Sequence, residues 1–245
     1  MSGMVDSEGI ALGQIVTLSF FRFAGLRHRV WAMTMMARAR RPLAATPDIG
    51  FWKLCGAGVG EGFTPTASPA VIAILATWPD ADTARARTAD APVFARYRAR
   101  AAESWTVFLS PTSSRGDWSG ARPFHPDDAP SPGPLAALTR ATIRPAILRR
   151  FWGRVPRISD MIGADPNVTF KIGIGEVPML HQVTFSIWPS KAAMDAFART
   201  GPHAEAIRAV RREGWFAEEL YARFTVVADS GTWAGRSPLA RLDAA

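Results

Sequence analysis

Of the four histidines in the chain, His203 stands where an imidazole could do chemistry. It follows Gly201-Pro202, a pair that restarts a helix, and Ile207, Val210 and Trp215 beyond it recur on one side at helical spacing. The spacing predicts an imidazole in the first turn, able to point between helix and sheet. Neutral imidazole is a common metal ligand, and one histidine suffices for a haem iron because the porphyrin supplies the other four bonds. A capping or core histidine is the other reading of the same position. His181 opens an alternating strand and reads either as a second ligand candidate or as a strand-end ring with a hydrogen bond. His28 lies on an arginine-flanked helix face, and His125 sits in a proline-rich stretch with no constellation around it.

Other chemistry-bearing residues are sparse. Cys55, the single cysteine, ends an apolar strand, which suits an inert buried thiol better than a thiolate ligand and rules out an internal disulfide. Gly56, Gly58, Gly60 and Gly62 lie between two predicted strands, so they read as hairpin glycines and not as a dinucleotide loop. Glu61 and Glu176 occupy matching places in a repeat and read as structural. Arginine sets (Arg38, Arg40, Arg41; Arg149, Arg150, Arg154, Arg157; Arg208, Arg211, Arg212) form solvated helix faces, some of which could grip propionates or phosphates through the guanidinium fork. Phe170, Phe185, Trp188, Trp215 and Phe216 are candidates for lining an apolar pocket, within a load of nine tryptophans and fourteen phenylalanines.

The elements that must position these residues occur twice. Lys53 with Gly56, Gly58, Gly60 and Glu61 recurs as Lys171, Gly173, Gly175 and Glu176. Trp78-Pro79 recurs as Trp188-Pro189, Ala91-Pro92 as Gly201-Pro202, Trp105 as Trp215, and Gly116–Gly120 as Gly231–Gly235. A repeat about half the chain long is a duplicated domain and not a solenoid. In that alignment Val93 falls opposite His203. Periodicity predicts strands at Val16–Phe23, Ile49–Cys55, Val71–Trp78 and Trp105–Leu109, with helices over Leu26–Ala45 and, in pieces, Asp82–Ala102. The second copy predicts strands at Leu138–Ile143, Val168–Gly173, His181–Trp188 and Ala222–Ala228, with helices over Ile147–Ile162 and, in pieces, Lys191–Leu220. The order β-α-β-β-α-β in each copy is the split βαβ arrangement. The fold class expected is α+β, two tandem duplicated ferredoxin-like units forming a dimeric-α+β-barrel-type fold. The units span 14–110 and 135–229, with a Pro/Gly/Ser-rich linker over 111–134 and a tail over 230–245.

At 245 residues, with nearly half of them apolar, the chain can bury a sizeable core. Twenty-nine basic against twenty-one acidic side chains leave a net +8, which favours an anionic neighbour. No basic stretch leads into a long apolar core at the start, and the longest uncharged apolar run, Val30–Ala37, falls far short of the ~20 residues of a spanning helix. A cytoplasmic protein is expected. Leu26–Ala45, with methionines between arginines, admits peripheral contact with an anionic membrane or ordinary packing on the sheet. Nucleic acid is not expected, since no aromatic pair of the RNA-reading type sits on a strand.

Several strings then resemble one family. They are Val16–Phe23 (VTLSFFRF), Gly50–Gly56 (GFWKLCG), Gly60–Pro65 (GEGFTP), Leu75–Pro79 (LATWP), Pro134–Pro145 (PLAALTRATIRP) and Phe151–Pro156 (FWGRVP), with Pro166–Pro178 (PNVTFKIGIGEVP), His181–Pro189 (HQVTFSIWP), Gly201–Ala204 and Arg208–Phe216 (RAVRREGWF). Together they resemble the spheroidene monooxygenases, acyclic carotenoid 2-ketolases, from about Val16 to Gly235. The resemblance implies a haem-b-dependent enzyme that uses O2 and reduced ferredoxin to turn spheroidene into spheroidenone and hydroxyspheroidene into its ketone. Its position, and not the resemblance, makes His203 the candidate on the iron (His181 as fallback), with Trp215 and Arg208 beside the cofactor in a haem-binding second half. Phe170, Phe185, Trp188 and Phe216 would then face an acyclic carotenoid. A cofactor-free apolar small-molecule or lipid-binding barrel is the competing expectation.

Overall fold

Ile15–Arg22 (β1) is buried along almost its whole length, on both faces, which a strand achieves only between two packed layers. In the computed structural model, residues 13–60, 64–126, 133–153, 167–199 and 212–242 are described. After β1 come α1 (Leu26–Arg38), α2 (Arg40–Ala44), β2 (Trp52–Gly58), β3 (Ala67–Trp78), α3 (Ala81–Asp90), α4 (Pro92–Arg98) and β4 (Glu103–Gly116). The second half gives β5 (Leu135–Ile143), α5 (described over 148–153), β6 (Phe170–Val177), β7 (His181–Trp188), α6 (Lys191–Arg199) and β8 (Phe216–Gly231). The eight strands close into one antiparallel barrel in the order β1-β3-β2-β6-β7-β5-β8-β4, and the fold is mixed α+β.

One layer lies inside the barrel. Val16, Leu18 and Phe20 of β1 point inward with Trp105, Val107, Phe185 and Phe224, and Phe20 stacks on Trp105 at 5.6 Å. The other layer lies outside the first half, where Phe21, Ile72, Ile74 and Trp78 meet Met35, Ala39 and Leu43 together with Phe94 and Tyr97. Local chemistry sets the helix ends. Asp80 accepts the Thr83 amide at 2.7 Å as the N-cap of α3, and Pro92 occupies the first turn of α4, where its missing N–H costs nothing. The Leu26–Ala45 helix divides at Ala39, and the Asp82–Ala102 helix divides before Pro92 as expected.

The halves meet at two unequal seams. β2 and β6 share only two pairs, Gly56↔Gly175 and Ala57↔Ile174, whereas β4 and β8 share eleven. Residues 111–116, expected in the linker, therefore continue β4, with Pro111 beside a register shift where a missing N–H is tolerated. Phe216–Leu220, expected as helix, is strand because it pairs with Arg140–Ile143 of β5.

Two parts of the repeat need correction. With Trp78 opposite Ile15 and Trp188 opposite Leu135, the registers match Lys53 with Ile172 and Gly56 with Gly175. Lys53 thus points inward while Lys171, by strand alternation, points outward: a slip of one residue exchanges the faces. Likewise Trp105, opposite Phe20, corresponds to Leu220, opposite Arg140, and Trp215 precedes β8.

The doubled exit signal behaves as one device used twice. Each turn closes with a bridge, Trp118↔Ala121 and Trp233↔Arg236. Gly116 and Gly231 enter the turns at φ 96° and 88°, and a Cβ there would lie 2.1 Å from Glu219 O and 2.2 Å from Ser104 O. Each turn is held by a glutamate of the other half. Glu218 accepts from Ser119 N (3.0 Å) and Gly120 N (2.8 Å), and Glu103 accepts from Gly235 N at 2.7 Å. Burial pushes both carboxyls up, but these amides and the neighbouring Arg140 and Arg22 outweigh it and hold both below the usual carboxylate range. A depressed folded-state value contributes stability above the ordinary glutamate pKa of about 4.3, lost as pH falls through the folded value. Glu218→Gln is therefore expected to cost about 1–2 kcal/mol at pH 7 and much less at pH 3, measured by urea unfolding at both. An equal deficit at the two pH values would show that the charge is not what holds the turn.

Candidate functional site

Alternation on β5, β6, β7 and β8 carries polar side chains to one end of the barrel. Arg140 on β5 follows the inward Ala136 and Leu138 and is 1% exposed. Its Nη1 bonds Glu218 Oε2, and its Nη2 lies 3.8 Å from Glu176 Oε2. Glu176 also pairs with Lys53 Nζ at 3.0 Å and accepts from Trp118 Nε1 at 2.8 Å. Lys53 in turn donates to Ser119 Oγ at 2.7 Å. His181 stands at the rim, its Nδ1 3.9 Å from Glu176 Oε2. Two cations thus face two carboxylates over the Trp118 ring. These contacts tie β2, β5, β6 and the Trp118 turn together, so the cluster closes that end of the barrel. Cys55 lies in the interior next to it, where burial and then Glu176 push the thiol far up, the environment of an inert buried thiol.

Beside this cluster, on the outer side of the short seam, lies an apolar groove of about 390 Å³. Met33 and Met36 of α1 form one wall. Pro65, Ala67 and Pro69 form the second, and Ile174, Pro178 and Met179 the third. Gly56, Gly58 and Gly175 keep its floor low, and Glu176 and Gln182 are polar groups at its edge.

The sequence-selected residues fall in several places. Phe170 and Phe185 point into the barrel, 6.2 Å apart, and pack on Phe20, with Trp105 4.7 Å from Phe170. Trp188 lies on the outer face against Phe197 at 5.3 Å, its Nε1 donating to Ser186 Oγ. Trp215 and Phe216 stand at the opposite end of that sheet around Phe151, at 6.4 and 6.3 Å, with Trp215 Nε1 donating to Glu213. These five aromatic residues do not line one cavity. His203 and Arg208 lie outside the described residues, whereas Val93, the first-half counterpart, is buried among Phe94 and Tyr97. The arginine and methionine wall residues had signals: Arg140 shares the parity of Ala136 and Leu138, and Met33 and Met36 fall on the helix flagged for membrane contact.

The outer faces of the two halves differ. In the first, Leu54, Ile72, Ile74 and Trp78 are buried beneath helices. In the second, the corresponding rows carry Thr139, Thr184 and Gly173, then Ala137, Ser186 and Lys171, then Ala141, Gln182 and Gly175. By register Gly173, Thr184, Gln182 and Ala141 stand where the first half has Leu54, Ile74, Ile72 and Phe21, whereas Trp188 matches Trp78 and Ala137, Thr139 and Ser186 match the equally small Thr17, Ser19 and Ala76. Among the described residues no three His, Cys, Asp or Glu side chains converge as a protein-only metal site requires, whereas a haem iron asks for one.

No family model matches the chain. It is 51% identical over 230 residues to the spheroidene monooxygenase of Rhodobacter capsulatus, covering 92% of this chain and 95% of that one. To the spheroidene monooxygenase of Cereibacter sphaeroides it is 49% identical over 229 residues, covering 92% and 71%. To that of Rubrivivax gelatinosus it is 36% identical over 208 residues, covering 85% and 80%. Among solved structures, aldoxime dehydratase OxdRE in complex with butyraldoxime superposes with a TM-score of 0.62 at 10% identity, covering 96% of this chain and 86% of that one. A second aldoxime dehydratase gives 0.59 at 12% identity, covering 91% and 84%. At such identities the likeness is one of fold alone.

Proposed function

The chain belongs to the spheroidene monooxygenase family, and from that membership we propose that it is a haem-dependent oxygenase placing a keto group at C2 of acyclic carotenoids. Spheroidene would become spheroidenone, and hydroxyspheroidene its ketone. Two hydroxylations at one carbon give a geminal diol, which loses water to the ketone. Each hydroxylation consumes one O2 and two electrons, for which reduced ferredoxin is the proposed donor. The bound haem would supply the O2 activation.

The protein's part is to hold, orient and exclude water. His203 would hold the iron by one imidazole bond, without the electron push of a thiolate. Arg208 would face a propionate with its guanidinium fork, and Trp215 would pack beside the cofactor. What supports the second half as the haem-binding half is its outer sheet face, where Gly173, Thr184, Gln182 and Ala141 replace Leu54, Ile74, Ile72 and Phe21 and leave a lower surface for a flat ring. The first half fills the same rows with its own side chains and would be the structural half. His181 suits the iron less well, because the barrel interior behind it is packed with Phe185, Phe170 and Phe20. Duplication of one ferredoxin-like unit, over 14–110 and 135–229, is supported by the matching neighbour orders β4-β1-β3-β2 and β8-β5-β7-β6. The working location is the cytoplasm, with peripheral membrane contact.

A cofactor-free binder of apolar molecules is the second reading, and the groove beside α1 favours it. Absorption spectra of the purified protein, oxidised, reduced and with carbon monoxide, separate the two. The haem reading expects a Soret band that moves on reduction and on adding carbon monoxide. It also expects a product in which two hydrogens of spheroidene are replaced by one oxygen. A protein without Soret absorption that still makes that product would end the haem proposal.

A further inference from the structure

Helix α1 has two apolar faces, and only one of them meets the protein. Ala32, Met35 and Ala39 are buried against the sheet. At 100° per residue Leu26, Val30, Met33 and Ala37 form a second line on the opposite side. The first three of these are 78%, 51% and 60% exposed. Arg27 and Arg38 flank this line on one side and Arg29 and Arg40 on the other, and no acidic residue stands in the first turn.

Met33 is also a wall of the apolar groove, so the exposed line continues into its rim. There Met179 is 41% exposed, and Val59 and Val177, each next in sequence to a lining residue, are 50% and 39% exposed. Single exposed apolar side chains are ordinary, but six of them, on α1 and on the segments that carry the groove's walls, form a patch that water penalises. An apolar stripe bordered by arginines on both sides matches a bilayer interface, where the stripe enters the acyl boundary and the guanidinium groups remain among phosphates. Among the described residues no helix is long and apolar enough to cross a membrane, so the contact is one of lying on the surface.

We propose that the outer line of α1 and the rim of the groove dock on an anionic lipid bilayer, with the mouth of the groove against the acyl chains. The docking stands on these residues alone. Only the identity of what would pass into the groove, a polyene dissolved in the membrane, rests on the carotenoid reading.

Flotation with phosphatidylcholine vesicles, with and without phosphatidylglycerol, tests the docking without haem or turnover. The protein is expected to float with the anionic vesicles at low salt and to leave them at high salt. Val30→Glu with Met33→Glu should lower the partition coefficient by roughly tenfold or more, since it places charge in the acyl boundary. Arg27→Gln with Arg40→Gln should lower it roughly 25-fold, at about fivefold per arginine. Arg85→Gln with Arg122→Gln, the same charge change away from α1, should cost less than about threefold. Circular dichroism melts should be unchanged in all three, because every position is exposed. No flotation of the wild type at low salt overturns the proposal. So do equal binding to neutral vesicles, retained binding in the glutamate pair, and an equal loss in the control pair.

Discussion

Replacing His203 with alanine is expected to abolish the Soret absorption of the purified protein, or move it to a five-coordinate or water-ligated form, and to take ketone formation to background. On the proposed haem reading the size of the effect follows from a single protein bond to the iron, with no second ligand to share the loss. Because the loss is one coordination site, added imidazole should restore part of the absorption. His181→Ala supplies the contrast. Its ring sits at the barrel rim 3.9 Å from Glu176, next to a filled interior, so its removal should leave the ferric spectrum nearly unchanged. If His203→Ala keeps the wild-type spectrum and turnover while His181→Ala loses both, the ligand is His181 and the haem-binding face must be reassigned.

Arg140→Ala is expected to lower the unfolding free energy by about 3–5 kcal/mol at pH 7, the cost of removing one partner from a buried ion pair. Arg140 is 1% exposed and is the cation between Glu218 and Glu176. Without it Glu176 keeps Lys53 and Trp118, and Glu218 keeps only the amides of Ser119 and Gly120 at positions the structure describes. Adding Glu218→Gln to Arg140→Ala should therefore recover part of the loss, a coupling a double-mutant cycle in urea reads directly. Strict additivity of the two would mean that the pair is not coupled. Arg140 Nε has no hydrogen-bond partner among the described residues, so the cluster is not fully satisfied. A buried guanidinium kept at that cost suggests positioning of the Trp118 turn as its use.

Strands were legible in the sequence wherever both flanking layers act on the same residues. His181–Trp188 begins and ends as its alternation indicates, and β1 differs from its expected span by one residue at each end. Legibility failed where the partner lies in the other half. Ser110–Gly116 is polar and contains a proline, so nothing local marks it as strand; its order comes from pairing with Leu220–Thr225. Phe216–Leu220 reads as helix although its partner, Arg140–Ile143, lies in the same half. The lysine repeat misled by one residue, which in a strand is enough to turn Lys53 inward and Lys171 outward. At the candidate site, parity alone could have pointed to Arg140, whereas Glu176 in contact with Lys53 and Trp118 needs the closed barrel to bring three distant segments together. The contrast between the two outer faces was present in the rows Ile72, Ile74 and Gln182, Thr184, but it becomes visible only once register aligns them.

The long β4–β8 seam has a kinetic consequence. It joins Trp105 to Gly231 and Gly116 to Leu220, so its loop-closure entropy spans about half the chain before a single pair forms. Neither half can cover its own outer edges: β4 and β2 in the first, β8 and β6 in the second, are edge strands until the other half arrives. A chain of this topology folds slowly for its size, and the step most exposed to mispairing between molecules is the closure of that seam. Glu103 and Glu218 have Arg22 and Arg140 within their own halves, but they gain the amides of the other half's turn only when closure has taken place. They act as latches on the finished barrel and contribute nothing to its nucleation, so their loss should appear in the unfolding rate and leave the folding rate nearly untouched.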